Sequence, residues 1–129
     1  ILSALATKGL VPFRTAAFMV CGLNIGTCIT AVLASVTGCR NSKRIATFHV
    51  LFNLVGTIFF LIICSATPLL SWIAEFSGTP AHQVANFHTV FNIVTTVIML
   101  PFDAVFMKLI YKLLPIKGEM LAEGSLIEE

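Results

Sequence analysis

Small and polar residues cluster in the middle of the first long apolar stretch of the sequence. The cluster reads Gly22-Leu23-Asn24-Ile25-Gly26-Thr27-Cys28-Ile29-Thr30. Glycine weakens a helix and an asparagine amide finds no partner in lipid, so the cluster predicts a membrane helix that is broken at mid-depth. Such a break would free backbone carbonyls, which together with the Asn24 amide oxygen and the Thr27 hydroxyl are hard oxygen ligands suited to sodium. The backbone amides freed at the same break would face an anion. Gly22, Asn24, Gly26, Thr27 and Thr30 are therefore the predicted solute- and ion-binding residues, with Asn24 and Thr27 as the sodium ligands.

The same cluster has a second interpretation. Gly22 and Gly26 lie four residues apart and form a GxxxG pattern. In membranes this pattern is typical of a helix face that lets a neighbouring backbone approach closely. Residue types and spacing leave the broken helix and the packing face as equal alternatives.

Composition places the cluster in a membrane. Of the 129 residues, 57% are hydrophobic and 11% are charged, and the mean hydropathy is +0.97. So few charges cannot cover the surface of a water-soluble domain of this size. The composition excludes a disordered chain and a nucleic-acid-binding module, and it argues against a free-standing soluble enzyme. The four cysteines lack the spacing of a zinc site, so we expect them to be small hydrophobic residues and expect no cofactor: Cys21, Cys28, Cys39 and Cys64.

Stretches without Asp, Glu, Lys or Arg divide the chain into spans. Each stretch exceeds the roughly 20 residues that cross a bilayer as a helix, and none alternates in polarity as a barrel strand would. The predicted fold class is all-α, with three transmembrane helices over residues 15–37, 45–66 and 81–106. Residues 1–12 are apolar but too short to span, and they suit the return limb of a re-entrant hairpin.

The connections between the predicted spans indicate an orientation. The turn at 38–44 and the tail at 108–117 are basic, whereas the loop at 67–80 holds only Glu75. The positive-inside rule then places the two basic segments in the cytoplasm and the loop outside. Thr79 and Pro80 predict a capped helix start, and Pro101 predicts a kink or an end of the third helix. Because the chain opens on Ile1, we expect a fragment of a longer polypeptide.

An internal echo links the second and third spans. The octapeptides ATFHVLFN, starting at residue 46, and ANFHTVFN, starting at residue 85, nearly coincide. In each, a histidine and an asparagine four residues apart share one helix face: His49 with Asn53, and His88 with Asn92. The two helices would be antiparallel relatives, as in transporters built from inverted repeats. Hydrogen bonding between helices is the alternative role for these four residues.

The order of these motifs resembles one transporter family. Gly-x-Asn-Ile-Gly-Thr-x-x-Thr, a basic turn and the repeated His-x-x-Phe-Asn together resemble the second repeat of the bacterial type II sodium/phosphate cotransporters over roughly residues 10–115. The resemblance implies two inverted repeats, each pairing a hairpin that bears Gln-Ser-Ser-Ser with a broken helix that bears Asn-Ile-Gly-Thr. Residues 1–115 would then be the C-terminal part of the transmembrane domain. The Gln-Ser-Ser-Ser motif is expected upstream of Ile1, and Leu23 and Cys28 depart from the family pattern.

The function that the resemblance implies is sodium-coupled phosphate symport by alternating access in a multi-pass protein of the cell (plasma or inner) membrane. The implied partners are inorganic phosphate, sodium, the lipid bilayer and a missing N-terminal repeat of the same polypeptide. Residues 116–129 would be a linker towards a PhoU-like cytoplasmic domain. Two alternatives share these features: a phosphate exporter or flux regulator of the same fold, and a non-transporting membrane anchor for a regulatory domain. An intramembrane enzyme is the weakest hypothesis, because no nucleophile lies beside a base.

Overall fold

The computed structural model describes residues 1–115, and this part of the chain is all-α. A 3₁₀ turn, Leu100–Phe102, separates the last two helices. In chain order the helices are α1 Leu2–Thr7, α2 Phe13–Val36, α3 Arg40–Ala66, α4 Leu69–Phe76, α5 Pro80–Met99 and α6 Asp103–Leu113. The predicted linker at 116–129 lies outside the described residues.

Three helical stretches are long and apolar enough to cross a membrane: Phe13–Val36, Arg40–Ala66 and Pro80–Leu113. They confirm the prediction of three helices long and apolar enough to span, at approximately the positions of the charge-free stretches. The second begins five residues earlier than predicted, because the bases Arg40, Lys43 and Arg44 continue the helix in place of ending it. Long basic side chains allow this, because their apolar stems can lie along the helix while their charged heads find polar partners at its end.

The first span corrects one prediction. α2 is a continuous α-helix of 24 residues from Phe13 to Val36, without a break at Gly22–Thr30. An intact helix keeps every backbone hydrogen bond of this segment, whereas two interior glycines cost only about 1 kcal/mol each. In a membrane each backbone group left unsatisfied costs several kcal/mol, so the unbroken helix is favoured where nothing else binds those groups.

The third span changes from α-helix to a 3₁₀ turn at its proline. Pro101 lies in the 3₁₀ turn, beyond which α6 continues the helical path to Leu113. Proline has no N–H to donate to the preceding turn, so the regular α-helical ladder is interrupted there. The α-helix is thus interrupted at the predicted proline, but the helical stretch ends at Leu113 and not at the predicted residue 106.

The loop predicted at 67–80 contains a short amphipathic helix, α4. Its Ile73 is buried, while Trp72 and Phe76 are exposed. Two side chains from α5 attach this segment: Gln83 Nε2 donates to the Ala74 carbonyl at 3.2 Å, and Asn86 Nδ2 donates to Ser77 Oγ at 2.8 Å. An eight-residue helix with an aromatic outer face is typical of a segment that lies in the membrane interface.

The predicted helix start at Thr79 and Pro80 is confirmed. Pro80 is the first residue of α5, and the Thr79 hydroxyl accepts the backbone N–H of His82 at 3.3 Å. The N-terminal segment folds as α1, which packs mainly on α5 and ends at a turn where Gly9 has φ +70°. That left-handed conformation favours glycine.

The core lies where α2, α3 and α5 meet. Three phenylalanine rings form its centre: Phe60 of α3 lies 5.5 Å from Phe87 and 5.0 Å from Phe91 of α5, both edge to face. The buried residues around this centre include Ala6, Ala16, Ala17, Val20, Cys21, Ile73 and Val84. Small residues of α2 thus allow its close approach to the aromatic centre.

The closest approach between α3 and α5 is at Gly56. A Cβ at this position would overlap the Cγ2 methyl of Thr95, and both residues are buried. Contacts of Phe60 with Phe87 and Phe91, and of Phe48 with Phe106, show that the two helices run antiparallel. Only glycine at position 56 permits the two backbones to come this close.

Trp72 is the sole tryptophan, so its fluorescence reports the depth of α4. We expect lipids brominated near the headgroup end of the acyl chain to quench this fluorescence more strongly than lipids brominated near the methyl end. The control is a Trp72→Phe protein that carries Val97→Trp on the exposed face of the third span, for which the order of quenching reverses. Equal quenching of Trp72 by both lipids would contradict the interfacial position.

Replacing Gly56 should weaken the packing of α3 on α5. We expect Gly56→Ala to lower the free energy of unfolding by about 1–3 kcal/mol, because the added methyl overlaps a stiff β-branched side chain. Gly22→Ala is the matched control, since a Cβ at Gly22 meets nothing within 4 Å. The measurement is unfolding in mixed SDS–detergent micelles followed by circular dichroism. Adding Thr95→Ser, which removes the overlapping methyl, should restore most of the loss, and equal stability of the two alanine variants would refute the close approach.

Candidate functional site

The polar cluster of α2 is satisfied by its own helix. Asn24 is half-buried and its Nδ2 donates to the Val20 carbonyl at 3.0 Å. Thr27 Oγ1 donates to the Asn24 carbonyl at 2.7 Å, and Thr30 Oγ1 donates to the Thr27 carbonyl at 2.8 Å. Such bonds to the preceding turn let polar side chains sit in a continuous helix. The Asn24 amide oxygen is the acceptor best placed to meet a ligand.

The structure does not bring the five predicted residues onto one face. Asn24 lies on the packing side of α2 with the buried Cys28, whereas Gly22, Gly26 and Thr30 are exposed. Residues two apart on a helix point about 200° apart, so each glycine faces away from Asn24. A Cβ at Gly22 or at Gly26 would meet nothing within 4 Å. The GxxxG face therefore packs on no other described element of this chain.

A junction between α2 and α3 forms around Cys28. Its thiol lies 3.6 Å from the Asn24 carbonyl and 3.6 Å from the His49 carbonyl, within reach of a weak hydrogen bond to each. His49 and Asn53 are half-buried on α3, and Asn53 Nδ2 donates to the His49 carbonyl at 3.0 Å. The structure thus places Cys28, one turn after Asn24, against the first copy of the echo.

The second copy of the echo has different surroundings. His88 and Asn92 of α5 are both exposed, and Asn92 Nδ2 donates to the His88 carbonyl at 2.9 Å. The same pattern of helix bonds recurs in both copies, but only the first copy is partly covered. His49 and His88 are therefore not brought together in one site by the described part of the chain.

Two buried hydroxyls were missed by sequence reasoning. Thr57 and Thr95 are each 4% exposed, and neither Oγ1 has a hydrogen-bond partner in the described part of the chain. A buried hydroxyl without a hydrogen-bond partner costs about 1–3 kcal/mol of folding free energy. Thr57 and Thr95 therefore each hold, inside the spans, a hydroxyl that is free to donate or accept a hydrogen bond. Continuing the echo beyond its octapeptides would have pointed to Thr57, which matches Thr96 at the same offset, but not to Thr95, which matches Gly56.

A cavity of about 440 Å³ lies at the end of the molecule where α3 begins and α6 ends. Arg44 is 4% exposed there: its Nε donates to the Leu114 carbonyl at 3.0 Å, and its Nη1 donates to Asn41 Oδ1 at 3.3 Å. The guanidinium carbon also lies 4.3 Å from the centre of the Tyr111 ring, a cation–π contact. The sequence predicted Arg44 to be one base of a cytoplasmic turn, and the packing of α6 makes it a buried link between two spans.

Charge separates the two ends of the molecule. We define the basic end by Arg40, Lys43, Arg44, Lys108 and Lys112. The opposite end carries Lys8, Arg14 and Glu75. Between them the spans hold neutral polar groups, and residues 1–115 contain no group of three His, Cys, Asp or Glu able to hold a metal ion. The arrangement can offer amide and hydroxyl oxygens to a solute, not a charged cage.

Cys39 caps the N-terminus of α3 at the basic end. Its sulfur lies 3.3 Å from Ser42 Oγ, and hydrogen bonding from Ser42 lowers the pKa of the exposed Cys39 thiol below its ordinary value. A thiolate at a helix N-terminus is the more reactive form of cysteine. Cys39 therefore marks the accessible, reactive thiol of the turn between the first two spans.

Comparison with known proteins finds a bacterial relative. The uncharacterized protein YqeW of Bacillus subtilis (strain 168) is 38% identical to this chain over 117 residues. The match covers 91% of this chain but 38% of the relative, so the chain spans well under half of the relative's length. No family model and no solved structure matches the chain.

The lowered pKa of Cys39 predicts a distinctive pH profile of alkylation. Because the thiolate persists to lower pH than in an ordinary cysteine, half-maximal reactivity with a charged thiol reagent should lie at lower pH than for free cysteine. Ser42→Ala should move the profile upward in pH, and Cys39→Ser should remove the fast phase, because Cys21 and Cys28 are buried and Cys64 is half-buried within the second span. An unchanged profile in Ser42→Ala would contradict the role of the hydroxyl.

Proposed function

We propose that this chain belongs to a multi-pass cell-membrane transporter that couples sodium to the movement of inorganic phosphate. The observation that carries the proposal is the Asn24 amide, which is half-buried at mid-span on the packing side of α2. A polar side chain at this depth needs protein, water or solute as its partner and is by default a functional candidate. The order of motifs from Gly22 to Asn92, which resembles type II sodium/phosphate cotransporters, supplies the choice of solute.

Binding in this proposal rests on side chains, since α2 is continuous and its backbone carbonyls are engaged within the helix. The Asn24 amide oxygen and the Thr27 hydroxyl oxygen are hard ligands suited to sodium. Sodium's positive charge then offsets the charge of phosphate in a site of low dielectric, so each raises the affinity for the other. The missing ligands would come from a Gln-Ser-Ser-Ser hairpin upstream of Ile1, whose return limb would be the segment 1–12, and from the N-terminal repeat of the same polypeptide.

Orientation and regulation complete the proposal. The basic end would face the cytoplasm and α4 the outside, because bases concentrate in cytoplasmic loops. A PhoU-like domain after residue 115 would then lie in the cytoplasm. The same fold and site would serve an exporter, and the direction of phosphate flux under an imposed sodium gradient distinguishes the two.

A second function has its own supporting observation. An unbroken α2 whose polar side chains all bond to the preceding turn needs no solute to be stable. That arrangement favours a non-transporting membrane anchor for a cytoplasmic regulatory domain. The two functions make opposite predictions for Asn24.

The test is phosphate uptake by proteoliposomes that contain the full-length protein under an inward sodium gradient. We expect Asn24→Ala to reduce sodium-dependent uptake at least tenfold, because it removes the amide oxygen proposed to bind sodium. Asn86→Ala is the matched control, since this asparagine binds Ser77 in the connection between spans and lies outside the proposed site. It should leave uptake largely unchanged.

The remaining outcomes separate the alternatives. Uptake that is sodium-dependent but equal in the wild type and Asn24→Ala would refute the assigned site. Absence of any phosphate flux in either direction from a correctly folded wild type would refute transport and leave the anchor. Residues 1–129 alone should not transport, since half of the proposed site is supplied from elsewhere.

A further inference from the structure

The echo between α3 and α5 extends well beyond the two octapeptides. Residues 45–61 align with residues 84–100 without a gap at an offset of 39, and eight of these 17 pairs are identical. The identical pairs are Ala46/Ala85, Phe48/Phe87, His49/His88, Phe52/Phe91, Asn53/Asn92, Val55/Val94, Thr57/Thr96 and Leu61/Leu100. The repeat therefore covers most of the apolar part of both helices.

The two copies also meet at equivalent positions. The crossing joins Gly56 to Thr95, which are partners in the same alignment. Two antiparallel helices that touch at equivalent residues are related by a local twofold axis through that contact. Phe60 and Met99, another equivalent pair, are 1% and 2% exposed on either side of the crossing, as such an axis requires.

The two copies of the repeat differ in how far their equivalent polar stripes are covered by other helices. On α3 the stripe His49, Asn53 and Thr57 is half-buried or buried, and α2 lies over it with Cys28 against the His49 carbonyl. On α5 the equivalent stripe of His88, Asn92 and Thr96 is exposed along its whole length. A row of imidazole, amide and hydroxyl groups is costly to leave in lipid.

We propose that the stripe His88, Asn92 and Thr96 is the docking surface for one further transmembrane helix, supplied by another segment of the same polypeptide. The local axis places this helix on α5 as α2 lies on α3, and therefore antiparallel to α2. The relative YqeW extends far beyond the region that this chain matches, so a polypeptide of this kind has chain available for the segment. The inference holds whether or not the protein transports phosphate.

The charge distribution argues against a second copy as the occupant. A second copy would have to be inverted in the membrane for its α2 to run in the required direction. The basic end carries five bases and Asp103, whereas the opposite end carries two bases, Lys8 and Arg14, and Glu75. This asymmetry orients every copy in the same direction, so an inverted neighbour is disfavoured.

The covering helix should resemble α2 in its chemistry. The buried residues of α2 are mostly small, with Ala17, Cys21, Cys28 and Ser35 at spacings of four and seven residues. Small side chains at this spacing let a backbone approach a polar stripe closely enough for hydrogen bonds between helices. We therefore expect Ala, Cys, Ser or Gly at this spacing, together with at least one group that bonds to the α5 stripe.

Photocrosslinking in the full-length protein identifies the occupant. A small diazirine amino acid is introduced at Asn92 or, separately, at Thr96, and at Val97 as the control. Val97 is 67% exposed and lies about 140° around α5 from Asn92. We expect the two test sites to give several-fold more peptide adduct within one polypeptide than Val97, and mass spectrometry should place the adduct outside residues 1–129. Val97 should react with lipid.

Each other outcome overturns the proposal. Lipid adducts from both Asn92 and Thr96, at the level of Val97, would show an uncovered face. Adducts in a covalent dimer would assign the face to a second copy.

Circular dichroism and gel filtration of each variant establish folding, and the two test positions make the result independent of a single substitution. In the 129-residue chain alone, both test sites should react with lipid, because the occupant is absent.

Discussion

The close crossing of α3 and α5 at Gly56 and Thr95 is the contact on which the rest of the structure depends. It brings two long antiparallel spans near enough for Phe60 to lie edge to face against Phe87 and Phe91. α1, α2 and α4 then pack on this pair. In lipid there is no hydrophobic force to hold helices together, so close backbone approach and dense aromatic packing must supply the attraction.

A second constraint governs the polar groups inside the spans. Asn24, Thr27, Asn53 and Asn92 all donate to carbonyls one turn earlier on their own helices. This arrangement satisfies their donors without a partner helix and leaves amide oxygens as the groups that can meet a solute. The charges lie at the ends, so the interior is polar but neutral.

Much of the fold follows from local sequence signals. The three spans follow from stretches without charge, and the start of α5 from the pair Thr79 and Pro80, because both signals act over one or two helical turns. The helix α4 was not predicted, because eight residues are too few to show a clear helical period of apolar residues. The prediction of a broken helix at Gly22 to Thr30 was wrong, because the polar side chains that suggested a break form hydrogen bonds to carbonyls of the intact helix.

The sequence by itself determined that the chain is a set of apolar helices with a basic end, and that α3 and α5 are relatives, because composition and internal similarity need no knowledge of contacts. Only the tertiary structure decided which copy of the echo is covered, that Gly56 meets Thr95, and that Arg44 is buried against Tyr111. These outcomes depend on how helices distant in the chain rotate and cross, and that choice is made by steric fit between side chains on different spans.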